Sequence, residues 1–163
     1  MALEIRPAGP ADFAAVADLC VAAYAPFLAA DHYVGVLRDV GRRAAHAQLL
    51  VAAEPEGEGV VGTVTFVPEG GPLGEIAGPR ETEFRMLAVD PAAHVRGVGT
   101  ALLQRVLDDS RGRAAAGVVC SSLPEMRAAH RIYRRLGFRR EPDRDWSPVP
   151  GVDLLAFAIA LRP

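Results

Sequence analysis

The sequence predicts an α/β (α+β) fold, with a mixed, mostly antiparallel sheet of six to seven strands and helices on both faces. Three observations predict it. Short apolar stretches typical of strands alternate with stretches whose apolar residues recur at helical spacing. Glycines and prolines separate these segments. One strand also leads through a glycine-containing loop directly into a helix, and such a crossover makes the two strands that it joins parallel.

The first part of the chain is predicted to form a strand, two helices and a hairpin. Residues 3–6 alternate apolar and polar side chains, as a short strand does. Residues 11–24 have apolar side chains at helical spacing, and a second helix is predicted over residues 31–45. Residues 48–53 and 60–67 are apolar strands separated by a turn-rich segment, which predicts a hairpin.

The rest of the chain is predicted to alternate between strands and helices. Residues 68–80 contain four glycines and three prolines, so they form a loop that is long enough to act as a flap over a binding site. The remaining predicted elements are strands over 81–89, 116–121, 138–141 and 152–161, helices over about 97–113 and 125–136, and a connection over 143–150. Its 163 residues predict one domain, residues 1–163.

The loop after the strand at 81–89 has the layout of a phosphate-binding turn. Gly97 and Gly99 allow successive N–H groups to point at one anion, and the helix that begins there adds further amides. A dinucleotide-binding loop would need a third glycine where Leu102 stands. A nucleoside-triphosphate loop would need a lysine, and this chain has none. Neither of those two loops fits.

What the loop does resemble is the acyl-coenzyme A loop of the GCN5-related N-acetyltransferases (GNAT family). Pro91, Gly97 and Gly99 fall at the expected positions of that motif. His94 stands where the family usually has Gln or Arg, and Arg96 lies two residues further on.

A second motif resembles the same family. Ala129, Tyr133, Gly137 and Phe138 match a helix that ends in Gly-Phe, although Met126 stands where the family often has Asn. The specific resemblance covers residues 81–138, and the N-terminal half matches in element order only.

The resemblance implies a transferase that moves the acetyl group of acetyl-CoA to a primary amine by direct attack in a ternary complex, without a metal. It implies that the backbone at Leu87 and its neighbours binds the pantetheine arm and donates to the oxyanion. The implied cofactor-binding residues are Leu87, Ala88, Val89, His94, Val95, Arg96, Gly97, Val98, Gly99, Thr100 and Ala129. Arg134 and Arg135 either reach the adenosine 3′-phosphate or are solvated helix arginines.

Glu83 and Tyr133 are the predicted catalytic residues. A primary amine has a pKa of roughly 10.4, so a base must remove its proton, and the leaving thiolate needs an acid. The resemblance makes Glu83 the base, with Glu81 or water alone as alternatives, and Tyr133 the acid. A surface ion pair between Glu83 and Arg85, and a core-packed Tyr133, are the structural alternatives.

The charge distribution and composition of the chain limit what it can bind and where it is expected to act. Residues 1–90 have 13 acidic and 6 basic side chains, whereas residues 91–163 have 7 and 12, which suits a polyanionic ligand bound by the second part. No export signal or membrane-length apolar run is visible, so a cytoplasmic protein with no membrane partner is expected. Cys20 and Cys120 are expected to be reduced, and no metal-ligand spacing occurs.

The acceptor is read only as a small-molecule or peptide amine. Tyr24, Phe27, His32 and Tyr33 either form part of the acceptor wall, as the resemblance implies, or simply pack together. The alternative function is a catalytically inactive acyl-CoA-binding sensor. The negative net charge disfavours a nucleic-acid partner. A homodimer formed through the last strands is left open.

Overall fold

A computed structural model of the chain describes residues 3–27, 31–56 and 59–163, without the side chains of residues 31, 32 and 94–96. The strands are β1 (Glu4–Pro7), β2 (Gln48–Ala53), β3 (Val60–Val67), β4 (Glu81–Val89), β5 (Gly117–Ser122), β6 (Arg139–Arg140), β7 (Trp146–Val149) and β8 (Val152–Ala160). The α-helices are α1 (Phe13–Tyr24), α2 (Asp31–Arg38), α3 (Val40–His46), α4 (Val98–Gly112) and α5 (Arg127–Leu136).

The strands form one open sheet. Its order is β1-β2-β3-β4-β5-β8-β6, and β7 pairs with β8 beside this path. β4 and β5 run parallel and are connected through α4, whereas the other neighbouring strands are antiparallel. The predicted fold class is therefore confirmed, including the parallel pair at the centre of the sheet.

Two cores lie on opposite faces of the sheet, because successive side chains of a strand point to opposite sides and a bulge at Met86 shifts this alternation within β4. On one face, Phe84 of β4 packs with buried residues of α4 and with Tyr133 of α5. On the other face, Met86 and Ala88 of β4 pack with buried residues of α1, α2 and α3. Helices thus cover both faces, and β4 contributes to both cores.

The helix predicted over residues 31–45 is two helices, α2 and α3. The break lies at Asp39, whose side chain accepts the Arg42 N–H at 3.3 Å and caps α3. The guanidinium of Arg43 then donates to the carbonyls of Val36 and Leu37 at 2.8 and 3.0 Å, which satisfies the end of α2. The helical spacing of apolar residues continues through both segments, so the sequence did not reveal the break.

The connection predicted over residues 143–150 contains a further strand, β7. Trp146 and Val149 pair with Leu154 and Val152 of β8. Pro148 within β7 cannot donate a hydrogen bond, and a strand at a sheet edge tolerates this.

Candidate active site

The central strands separate partway along β4. Its parallel pairing with β5 extends from Glu81 and Gly117 to Glu83 and Val119. Beyond this point β4 carries a bulge, since Ala88 and Arg85 lie opposite residues of β3 that are only two positions apart. Met86, inside the bulge, has a φ of 54°. A bulge bends its strand, which fits the end of the pairing with β5 at this position.

A cavity of about 730 Å³ lies beside the separated strands. Its walls come from the end of α1, the end of β4, the start of α4, and α5 from its first turn to its last. Five residues of the predicted cofactor set line it: Leu87, Ala88, Val89, Gly99 and Ala129. Arg134 and Arg135 line it as well. The structure thus brings residues from both sequence motifs to one cavity.

The start of α4 provides donors for an anion at this cavity. Gly97 precedes the helix with a φ of 70°, a left-handed conformation that favours glycine. The first helical hydrogen bond runs from the Ala101 N–H to the Gly97 carbonyl, so the amides of Val98, Gly99 and Thr100 have no acceptor within the helix. Such a helix start binds phosphate groups well.

Two further observations concern the predicted cofactor-binding residues of this loop. A Cβ on Gly99 would lie 2.9 Å from Cδ1 of Ile132, so glycine allows α4 to approach α5 closely. His94, Val95 and Arg96 belong to a 3-10 helix, Pro91–Arg96, and their side chains lie outside the described part of the chain.

Tyr133 lies behind the cavity wall, in the core between α5 and β5. It is 4 % exposed, and its ring packs edge-on against Phe84 and Phe157 with centroids 5.5 and 5.2 Å apart. Its hydroxyl lies beside Ser122 and Cys120, and burial raises the pKa of the phenol well above its usual value. The phenol therefore keeps its proton.

Glu83 is fully buried at the last residue of β4 that pairs with β5. Its Oε1 accepts the backbone N–H groups of Glu75, Ile76 and Ala77 at 3.0, 3.0 and 2.9 Å, and its Oε2 accepts that of Glu75 at 3.1 Å. The ion-pair partner of Arg85 is not Glu83 but Glu75, with 3.0 Å between Nε and Oε1. Glu83 is thus a buried anchor for the loop above it.

The loop over residues 68–80, predicted as a flap, is tied down at several points besides Glu83. Arg144 donates to the Ile76 carbonyl and to Glu81, both at 2.6 Å. The hydrogen bonds from this arginine lower the pKa of Glu81 below its usual value. Burial opposes that shift with a smaller effect, and the Gly78 amide adds to the lowering. Glu81, the alternative base, is therefore committed to an ion pair.

The aromatic residues between α1 and α2 lie on the other face of β4. The rings of Tyr24 and Tyr33 are 6.5 Å apart. Tyr33 also lies beside the guanidinium of Arg85. Phe27 lines the cavity, and the side chain of His32 lies outside the described residues.

The sequence did not indicate two parts of this site. The end of α1 and the residues after it form a wall of the cavity through Ala22, Ala23 and Pro26, none of which was predicted to belong to the site. Glu75 comes to Arg85 from an aperiodic loop, and no spacing in the sequence predicts that approach.

The described residues contain no group of three or more His, Cys, Asp or Glu side chains arranged to hold a metal ion. Among the helices that the structure describes, none is both long and apolar enough to cross a membrane. Cys20 and Cys120 are buried free thiols, as predicted.

Several solved structures of acetyltransferases have a similar fold, although their sequence identity to this chain is low. A GNAT-family acetyltransferase from Staphylococcus aureus Mu50 is 15 % identical with a TM-score of 0.76, covering 99 % of this chain and 100 % of that one. Ribosomal-protein-alanine N-acetyltransferase from Brucella melitensis is 23 % identical with a TM-score of 0.69, covering 98 % and 100 %. The protein yncA from Salmonella typhimurium, solved with its cofactor acetyl-CoA, is 23 % identical with a TM-score of 0.66, covering 100 % and 96 %.

At these identities the structural likeness establishes the fold alone. No curated protein matches the sequence significantly. The model of the Acetyltransferase (GNAT) family matches residues 13–138, which are 126 of the 163 residues, and the chain therefore belongs to this family.

Proposed function

We propose that this chain, acting as a single domain, transfers the acetyl group of acetyl-CoA to a primary amine by direct attack while both substrates are bound. The observation that carries the proposal is the cavity between the separated strands and the start of α4. One end of it offers helix amides suited to a diphosphate, and the other offers a strand edge suited to an extended chain.

When bound, acetyl-CoA supplies an acetyl group activated as a thioester. The amides of Val98, Gly99 and Thr100 would bind its diphosphate, together with the 3-10 turn that carries His94, Val95 and Arg96. Leu87 and Ala88 would bind the pantetheine arm through their backbone, beside Val89 and Ala129 on the cavity wall. Arg134 and Arg135 would meet the 3′-phosphate.

Leu87 and Tyr133 would serve the acyl transfer itself. The N–H of Leu87, next to the bulge at Met86, is the donor proposed for the oxyanion. The phenol of Tyr133 is the proton donor proposed for the leaving sulfur. Burial raises the pKa of this phenol and also that of the Cys120 thiol beside it. A thiolate that leaves in the same buried surroundings is likewise more basic than in water, so the proton transfer is not made unfavourable by the raised pKa of the phenol.

The predicted base, Glu83, lies where the pairing of β4 and β5 ends, close to where the amine would arrive. Its oxygens already accept four hydrogen bonds from the loop. Any proton that Glu83 removed would therefore have to pass through water or a neighbouring acid.

Calorimetry and a thiol-release assay test this function together. Titration of acetyl-CoA into the purified chain should give saturable heat, and release of the coenzyme thiol should depend on adding an amine from a panel. Binding with no transfer to any amine would favour the inactive sensor instead. Absence of binding would contradict both functions.

A further inference from the structure

A polar cluster lies on the face of β4 that faces α1 and α2, opposite Tyr133. Its members, called here the Glu75 cluster, are Glu75, Arg85, Tyr24 and Tyr33. Arg85 is its centre, because Nε pairs with Glu75 at 3.0 Å, Nη1 donates to the Leu73 carbonyl at 3.1 Å, and the guanidinium lies beside Tyr33. The side chains of Arg85 and Glu75 are 18 % and 25 % exposed. The ion pair is thus sheltered but still reachable.

The Glu75 cluster lies near the predicted acid as well. Arg85 directly follows Phe84 on β4, two residues beyond Glu83, where the pairing with β5 ends. The ring of Phe84 packs edge-on against that of Tyr133 with centroids 5.5 Å apart. The cluster and the phenol therefore flank the place where β4 and β5 separate, which is where the proposed function puts the thioester.

Glu83 determines where Glu75 stands. Its buried carboxylate binds three consecutive N–H groups of the loop, beginning with that of Glu75 itself. The side chain of Glu75 then turns to Arg85 and pairs with it. Since the oxygens of Glu83 are occupied by the loop and those of Glu75 have one ion-pair partner, Glu75 has the free acceptor capacity that a base needs.

We propose that Glu75 binds the ammonium group of the acceptor and removes its proton, and that Glu83 is a positioning residue that holds the loop carrying Glu75. This inference rests on the proposed acetyl transfer and assigns its acceptor to cationic primary amines. Tyr24 and Tyr33 would flank the cation with their rings.

The protons balance as follows. One N–H bond of the ammonium breaks and its proton moves to Oε2 of Glu75, since Oε1 is paired with Arg85. The nitrogen lone pair then forms the bond to the acetyl carbon, and the carbon–sulfur bond breaks. The sulfur takes the phenol proton of Tyr133, and the second proton lost by nitrogen restores the phenol. Glu75 releases its proton to water, so the amine gives an amide, free thiol and one proton.

The electrostatic surroundings of Glu75 suit this role. Burial raises the pKa of Glu75 above its usual 4.5. The charge of Arg85 opposes this shift, and the charge of Glu83 adds to it. Tyr33 of α2 faces it next to Arg85, and Arg43 of α3 faces Tyr33. Arg144 holds the Ile76 carbonyl from the other side of the loop. A base with a raised pKa accepts a proton more readily, and its loss of activity on acidification begins at a higher pH.

The test compares pH profiles of kcat/KM for the amine in the wild type, Glu75→Gln, Glu75→Asp and Glu83→Gln, at saturating acetyl-CoA. The matched control is Glu69→Gln, in the same loop, whose side chain caps the Arg80 N–H away from the cluster. We expect Glu75→Gln to lower kcat/KM at least about 100-fold and to abolish the acidic limb of the profile. Glu75→Asp should keep that limb at a reduced rate, and Glu83→Gln should keep it too. The dissociation constant of acetyl-CoA and the melting temperature separate these effects from misfolding.

Two results would overturn the inference in different ways. An active wild type whose acidic limb survives in Glu75→Gln but disappears in Glu83→Gln would make Glu83 the base. A wild type that binds acetyl-CoA and acetylates no amine would remove the proposed function and this inference with it.

Discussion

Tyr133 does two separable things at the level of the single residue. Its ring fills the core against Phe84, Phe138 and Phe157, while its hydroxyl meets Ser122 and Cys120. Phenylalanine would keep the first contribution and remove the second. The residue therefore allows a clean test of whether the buried phenol takes part in the reaction.

We expect Tyr133→Phe to lower kcat at least about tenfold, because the leaving thiolate loses its proton donor. The dissociation constant of acetyl-CoA should stay the same, since phenylalanine keeps the ring packing and the phenol acts only on the thiolate as it leaves. Stability should fall by about 1 kcal/mol for the lost hydrogen bonds. Steady-state kinetics and calorimetry provide these values. Ser122→Ala is the control, because it removes a partner of the phenol but keeps the donor, and its effect on kcat should be smaller. An unchanged kcat in Tyr133→Phe would exclude the phenol from the mechanism.

At the level of secondary-structure elements, the position of α4 depends on its close approach to β3. A Cβ on Gly62 would lie 2.5 Å from Cγ1 of Val98 and 3.0 Å from Cδ1 of Leu102. Both of these side chains are fully buried, and Val98 is branched at Cβ and so has little rotamer freedom. Because Val98 is the first residue of α4, a larger residue at position 62 would displace the amides proposed to bind the diphosphate.

Gly62→Ala should therefore destabilise the fold by about 1–3 kcal/mol, as overpacking does, and weaken acetyl-CoA binding several-fold. Urea unfolding and calorimetry measure the two effects. Gly112→Ala, at the far end of α4, is the matched control, because a Cβ there meets no atom within 4 Å. The control should bind acetyl-CoA normally and be at least as stable as the wild type. Normal binding by Gly62→Ala would mean that the start of α4 is not the diphosphate site.

For the molecule as a whole, the sequence predicted what local patterns determine. The bounds of β2, β3 and β4 agree with the prediction, since each strand is an apolar run between turn residues. The break at Asp39 was missed because the helical spacing of apolar residues continues across it, although the Asp39 cap lies only three residues from Arg42. The strand β7 was missed because its four mostly exposed residues carry no alternating apolar pattern. At the site, glycine spacing indicated the loop before α4. The anchoring of Glu75 by Glu83 uses backbone N–H groups, which any residue other than proline supplies, so it leaves no mark in the sequence.

The stability of the whole molecule depends on pH. His130 contributes to this dependence in a definite direction. Its Nε2 lies 3.0 Å from the Ser122 hydroxyl, and burial followed by the charge of Arg134 lowers its pKa from 6.5. Between the folded-state pKa and 6.5, His130 binds a proton in the unfolded chain but not in the folded chain. The free energy of unfolding therefore falls as the pH drops from 6.5 toward the folded pKa.

We expect the free energy of unfolding of the wild type to lose, from this one group, up to about 1.4 kcal/mol per pH unit in that range. Glu75 acts in the opposite direction above pH 4.5, because its pKa is raised, so the two effects partly cancel in the wild type. Asp12 and Glu81, whose arginine partners lower their pKa values, add a loss of stability only at more acidic pH. His130→Gln isolates the histidine, since glutamine can still donate to Ser122 but does not titrate. Urea unfolding at about pH 7 and about pH 5.5 should therefore show a smaller fall in stability, or a gain, in the variant. An equal fall in both proteins would mean that His130 is protonated in the folded state, against the burial and the arginine charges around it.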